Sequence, residues 1–188
     1  MFVIDRAALF LVAVGVFVVC LPAIAVYYFR RARRSSQDDW ESILKRLAPV
    51  DRSCVAEVAL DIIDESGQQR MDESSAVLEP AEIWKLVGGM EGLKAIEANC
   101  MVLIDLAFYV QQKYPEAVVT TEELRLNARE IAWHVERLKA AAESGKLDSV
   151  FAMYAQRATA TYYLMTRQVL ALYEHDGLPM LASLQRAL

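Results

Sequence analysis

The sequence predicts an all-α protein: one N-terminal transmembrane helix followed by a single antiparallel bundle of five or six helices. Three observations predict it. Residues 7–29 carry no charge. Beyond residue 36, apolar residues recur every three or four positions, the period of an amphipathic helix. No segment alternates long enough to build a sheet, and EAVVTT at 116–121 is too short to do so. The chain then divides into a short extracytoplasmic N-terminus (1–6), the transmembrane helix (7–29), a basic juxtamembrane segment (30–36) and a cytoplasmic helical bundle (37–188).

At about 1.5 Å rise per residue, the uncharged run spans roughly 35 Å as a helix, enough to cross a hydrocarbon core of about 30 Å. Gly15 and Pro22 are compatible with a membrane helix. A cleaved export signal is the competing reading, with Ala23-Ile24-Ala25 as the small-x-small cleavage pattern. The charge asymmetry favours the anchor. Asp5 and Arg6 cancel before the run, whereas Arg30, Arg31, Arg33 and Arg34 follow it, and positive charge prefers the cytoplasmic side. Tyr27, Tyr28 and Phe29 stand between the run and the arginines, where amphipathic rings favour the headgroup region. The lipid bilayer is therefore the first expected partner. The arginines add attraction to anionic lipid of about 1 kcal/mol per charge.

The net charge of −5 conceals a division. Residues 35–188 hold 15 lysines and arginines against 24 aspartates and glutamates, a net of −9. An acidic domain of this kind is a poor nucleic-acid binder. Cys54 and Cys100 lack metal-type spacing and are expected to pack as reduced, small apolar groups.

The helices follow in order. Ser36 with Asp39 makes a capping pattern that opens a first helix through Trp40, Ile43, Leu44 and Leu47, ended by Pro49. A second runs from about Asp51 to Ser66, with Val55, Val58 and Ile62 on one face and Gly67 as its stop. Residues 67–79 have no clear period and are read as a loop. Pro80 suits the first turn of a third helix carrying Ile83, Trp84 and Val87, which meets a bend or break at Gly88-Gly89. Leu93, Ile96, Cys100, Leu103, Ala107 and Val110 then recur at helical spacing. Met101, Val102, Ile104, Leu106 and Phe108 make this helix apolar on nearly every side, which places it at the centre of the bundle. Thr120 with Glu123 repeats the capping pattern before a fifth helix built on Leu124, Ala128, Ile131, Val135, Leu138 and Ala142, closed near Gly145. A long sixth helix carries Leu147, Phe151, Tyr154, Ala158, Thr161, Met165 and Leu172, and the tail LPMLASLQRAL forms a last short amphipathic helix.

Four residues are candidates for a small-molecule pocket: Asp105, His134, Tyr162 and Tyr163. Asp105 interrupts the apolar stretch CMVLIDLAFYV. A buried carboxylate there needs an arginine or several donors, and Arg129, Arg137, Arg157 and Arg167 are the expected partners. His134 lies one turn from Glu130 and pairs with it, or forms a polar edge. Tyr162 and Tyr163 offer apolar rings with polar tips, but helical spacing sends them in different directions.

Gly88-Gly89 and Gly92 follow no strand and precede no Gly-Lys-Ser/Thr element, so they are not a phosphate loop. No catalytic, metal or cofactor motif is present, and no cofactor is expected. The leading expectation is a membrane-anchored adaptor, scaffold or accessory subunit that binds another protein at the cytoplasmic face of the cell membrane. Homo-oligomers are allowed, though the anchor has no small-xxx-small pair involving Gly15. The alternative is a membrane-tethered sensor or enzyme with a pocket in the bundle.

Overall fold

The computed structural model describes residues 39–64, 67 and 77–188, together with Gly15, Val18, Cys20, Leu21, Pro22 and Val26, which are helical. The chain divides into two compact units, Met1–Asp38 and Asp39–Leu188. The second is an all-α bundle. Among the described residues no helix is long and apolar enough to cross a membrane. Apart from those six positions, the run 7–29 lies outside the described residues, as do Tyr27, Tyr28, Phe29, Arg30, Arg31, Arg33 and Arg34. The structure thus supports the helical bundle and gives no support to the transmembrane helix.

The described part of the second unit contains seven α-helices rather than five or six: α1 (Trp40–Leu44), α2 (Arg52–Leu60), α3 (Pro80–Val87), α4 (Gly89–Gln111), α5 (Val118–Glu143), α6 (Leu147–His175) and α7 (Leu181–Ala187). A 3-10 turn at Pro115–Ala117 precedes α5. Helix α1 is shorter than the periodicity suggests and is capped at Asp39; Ser36 lies outside the described residues. Its extension stops because Asn99 of α4 captures the following backbone. Asn99 Oδ1 accepts from the Ala48 N–H at 2.7 Å, and Asn99 Nδ2 donates to the Ala48 carbonyl at 3.0 Å.

Helix α2 starts as expected, with the Asp51 side chain accepting from the N–H groups of Ser53 and Cys54, but it ends at Leu60 rather than Ser66. The Asp61 carboxylate is drawn elsewhere. It accepts from the N–H groups of Val77 and Leu78 at 2.8 and 3.3 Å and from Gln156 Nε2 at 2.6 Å, pinning the chain before α3 to α2 and α6. Pro80 opens α3, where the Glu79 N–H donates to the Glu82 carboxylate at 3.2 Å.

The predicted bend at Gly88-Gly89 is a sharp corner. Gly88 and Gly89 have φ of 78° and 61°, the left-handed region that glycine occupies without steric cost. The Trp84 ring folds over this corner: a Cβ on Gly89 would stand 2.9 Å from it. The same ring packs on Phe151 of α6 at a tilt of 50°, with centroids 4.4 Å apart.

Helix α5 begins two residues before Thr120, so the expected Thr120–Glu123 cap is not used. The 3-10 turn feeds directly into α5, and the Thr121 hydroxyl donates back to the Ala117 carbonyl at 2.9 Å. Glu123 points across to α6, where Gln168 Nε2 donates to it at 3.4 Å. Pairs along the helices fix their directions. Glu123 and Asn127 meet Gln168 while Glu130 meets Thr161, so α5 and α6 are antiparallel. Asn99 meets Tyr162 and Leu106 meets Tyr173, so α4 and α6 run the same way.

The centre of the unit differs from expectation. Helix α4 is buried at Leu93, Ile96, Leu103, Leu106 and Ala107, yet Met101 is exposed. The helix that touches most others is α6, packed against α2, α3, α4, α5 and α7. Small side chains make this possible: Ala155, Ala158, Thr159, Ala160 and Thr161 are all buried, so neighbours approach α6 from several sides. A buried relay ties the first helix to this hub. Trp40 Nε1 donates to the Tyr173 hydroxyl at 3.0 Å, and that hydroxyl donates to the Leu106 carbonyl at 3.1 Å. Burial pushes the Tyr173 hydroxyl pKa far above its ordinary value, so the proton needed for the second bond stays in place.

Candidate functional site

A cavity of the helical unit holds about 240 Å³. It lies where the segment after α1, helix α2, helix α6 and the end of α7 meet over Asn99 of α4. Its walls are apolar, with Val50, Val55 and Leu170 prominent. Its polar groups are few and converge, as ligand sites require. Asn99 is locked by Ala48, and its remaining amide proton goes to the Tyr162 hydroxyl at 3.2 Å. Tyr162 is buried. Burial first of all raises its hydroxyl pKa to about 12, with the Asn99 hydrogen bond and the charge of Arg52 opposing. The hydroxyl therefore stays protonated at neutral pH and acts as a donor.

Two cations line the same cavity, Arg52 and Arg167. Arg52 donates one N–H to the Gln185 carbonyl, and Arg167 lies over the Tyr163 ring at 5.9 Å. No aspartate or glutamate lines the cavity, although the domain is acidic overall. A more open hollow shares Val50, Arg52 and Ala187 with it and adds Lys45, Asp51 and Arg186. Asp51 is already engaged in capping α2.

A second feature lies on the outer face of α5. Val119, Leu126 and Trp133 recur at seven-residue spacing and are 62%, 61% and 49% exposed. Exposed Glu122, Arg129, Glu130, Arg137 and Ala140 complete the stripe. The Arg137 guanidinium sits 5.0 Å from the Trp133 ring centroid, and Glu122 accepts from Arg125 one turn on.

The four sequence candidates do not share one pocket. Tyr162 and Tyr163 both line the cavity; Asp105 and His134 do not. Asp105, 19% exposed, pairs with Arg46 at 2.9 Å. That arginine follows α1 and is none of the expected partners Arg129, Arg137, Arg157 and Arg167. His134 is buried between Trp133 and Tyr154, with ring centroids at 5.0 and 5.5 Å. Its Nε2 stands 3.5 Å from Glu130 Oε1, and neither ring nitrogen makes a well-formed hydrogen bond within the protein. This long contact is still the main reason why the Glu130 carboxyl titrates below its ordinary value, with partial burial opposing.

Asn99 and Arg52 are the functional candidates that sequence reasoning passes over. Asn99 carries the signal that singles out Asp105, a polar residue inside an apolar helix. Arg52 carries none, because an arginine in the first turn of an acidic helix reads as a surface charge. Among the described residues no cluster of His, Cys, Asp and Glu is arranged to hold a metal ion. Cys100 is buried and its thiol is pushed up to about 12, chiefly by desolvation, which makes it inert packing. No protein-family model, no curated protein and no solved structure matches this chain.

Proposed function

We propose that the chain is a single-pass membrane-anchored scaffold whose cytoplasmic helical unit associates with a second copy through the outer face of α5. The uncharged run 7–29 and the arginines after it support the anchor and its orientation, with the N-terminus outside. The observation that carries the partner is the stripe on α5. Leu126 and Trp133 are large apolar side chains held in solvent on a rigid helix, and tryptophan is enriched in interface centres.

The charges around them are self-complementary in one arrangement. With two α5 helices antiparallel and a two-fold axis passing between Arg129 and Glu130, Leu126 meets the partner's Trp133 and Val119 meets the partner's Ala140. Arg129 then faces the partner's Glu130, and Glu122 faces the partner's Arg137. Only Glu123 and the partner's Glu136 oppose like charges. Two-fold symmetry is the common solution for self-complementary patches, because each contact is made twice. Anchoring in a bilayer concentrates the copies in two dimensions and raises their effective concentration.

Two measurements check this. Protease added outside intact cells should leave residues 39–188 whole while the chain stays in the membrane fraction; digestion of that unit overturns the orientation. In detergent, the full chain should have the mass of a dimer. Glu122→Arg should weaken association by about tenfold, because it creates two repulsive contacts per dimer, and Glu122→Arg combined with Arg137→Glu should restore it. A monomer at all concentrations, or a dimer indifferent to both changes, overturns the α5 interface.

A further inference from the structure

The cavity over Asn99 has a chemistry of its own, on helices that take no part in the α5 face. It combines apolar walls, the buried hydroxyl of Tyr162 and two guanidinium groups, with no aspartate or glutamate side chain among its lining residues. We propose that this cavity binds a medium-chain monocarboxylate, its carboxylate accepting from the Tyr162 hydroxyl and the Arg52 guanidinium and its alkyl tail lying against Val50, Val55 and Leu170.

The polarity of the donor follows from the hydrogen-bond order. Asn99 Oδ1 is taken by the Ala48 N–H, so the Asn99 group nearest Tyr162 is the amide nitrogen, and the hydroxyl must accept from it. The proton of that hydroxyl then has no acceptor among the described residues and is available to a guest. Arg52 lines the same cavity as this hydroxyl. Among the described residues Arg52 donates one N–H, to the Gln185 carbonyl, and a guanidinium has further donors to offer an anion. Arg167, exposed and packed on Tyr163, adds a second positive charge at the rim, and Lys45 and Arg186 border the adjoining hollow. Such a mouth draws anions in against the acidic remainder of the domain.

Size selects the tail. A volume of about 240 Å³ is many times what one water needs and takes an alkyl chain of several carbons. That suits a chain the length of octanoate, and a long-chain acid leaves its end outside. The acid requirement is the discriminating property. Two cationic groups and a hydroxyl donor gain nothing from a hydrocarbon and only neutral hydrogen bonds from an alcohol, whereas a carboxylate satisfies them together with its charge.

Isothermal titration of the full chain in neutral-lipid nanodiscs tests the proposal with octanoate, octanol and acetate as probes. Octanoate should bind about tenfold or more tightly than either octanol, which keeps the tail, or acetate, which keeps the charge. Tyr162→Phe removes the hydroxyl and leaves Asn99 bonded to Ala48. It should weaken octanoate by about tenfold while changing octanol much less, a split that a merely structural role does not produce. Ala56→Leu, which fills the cavity, should abolish binding with the helical circular dichroism spectrum intact. Equal affinity for octanol and octanoate, or octanoate binding unaffected by Tyr162→Phe, overturns the site. The α5 charge reversals should not change octanoate affinity, so failure of self-association and failure of ligand binding are read separately.

Discussion

Gly92→Ala should lower the melting temperature of the protein by about 6–12 °C, the shift expected for a loss of about 3 kcal/mol in a domain of this size. The cause is geometric. Helices α3 and α4 meet at the Gly88-Gly89 corner, and the last carbonyl of α3 is folded against the first turn of α4. A Cβ on Gly92 would fall 1.7 Å from the Val87 carbonyl oxygen and 2.8 Å from its carbon. Both are backbone atoms, so no side-chain rotation relieves the overlap and the corner itself must open. Opening it lifts Trp84 from Gly89 and from Phe151, so one added methyl disturbs the contact of α3 with α6 as well. Gly145→Ala is the control. Gly145 is also left-handed, with φ of 69°, but a Cβ added there would meet nothing within 4 Å, and the change should cost only about 1 kcal/mol. Thermal unfolding of both variants checks the contrast. Equal melting temperatures would show that the close approach at Gly92 is not what sets the corner.

Asn99→Leu should cost about 3 kcal/mol in denaturant unfolding, although leucine is apolar, has the same branched side-chain skeleton and is placed in a buried helix. The amide of Asn99 satisfies both backbone groups of Ala48 and contacts the Tyr162 hydroxyl. Leucine strands these groups without partners, and the loss from unpaired polar atoms exceeds the gain from burying a hydrocarbon. Asn99→Asp separates shape from polarity. It keeps the acceptor for the Ala48 N–H but opposes a second oxygen to the Ala48 carbonyl, so it should also destabilise. Unchanged stability in Asn99→Leu would mean that the segment after α1 is held by other contacts.

How much of the fold is legible in the sequence varies with the physics involved. The long helices are, because Leu124, Ile131, Val135 and Leu138 on α5 repeat at the helical period and are buried together. The Gly88-Gly89 corner is also visible, since paired glycines after Val87 leave a helix few ways to continue. Local side-chain competition decides the boundaries and hides them. Thr120 and Glu123 match a capping pattern, but a preceding 3-10 turn supplies the start, and Asp61 ends α2 by serving the backbone at Val77 and Leu78. The central role of α6 is concealed for another reason: alanine and threonine add little to a hydrophobic pattern, although their small size lets five helices converge on one rod. The site divides the same way. Tyr162 and Tyr163 stand out as amphipathic side chains and do line the cavity, whereas Asp105 and His134 stand out for being polar in apolar surroundings and each has its own neighbours. Arg46, the partner of Asp105, comes from 59 residues away in sequence, a pairing that no local pattern encodes.

The hub formed by α6 has a consequence for how the unit comes apart. Five helices cover an apolar face against the same central rod, while α4 and α5 also pack on each other and α1 leans on α4. Loss of order at one edge uncovers the rod for all its neighbours at once. The unit is therefore built to melt in one cooperative step, with little room for a half-folded survivor.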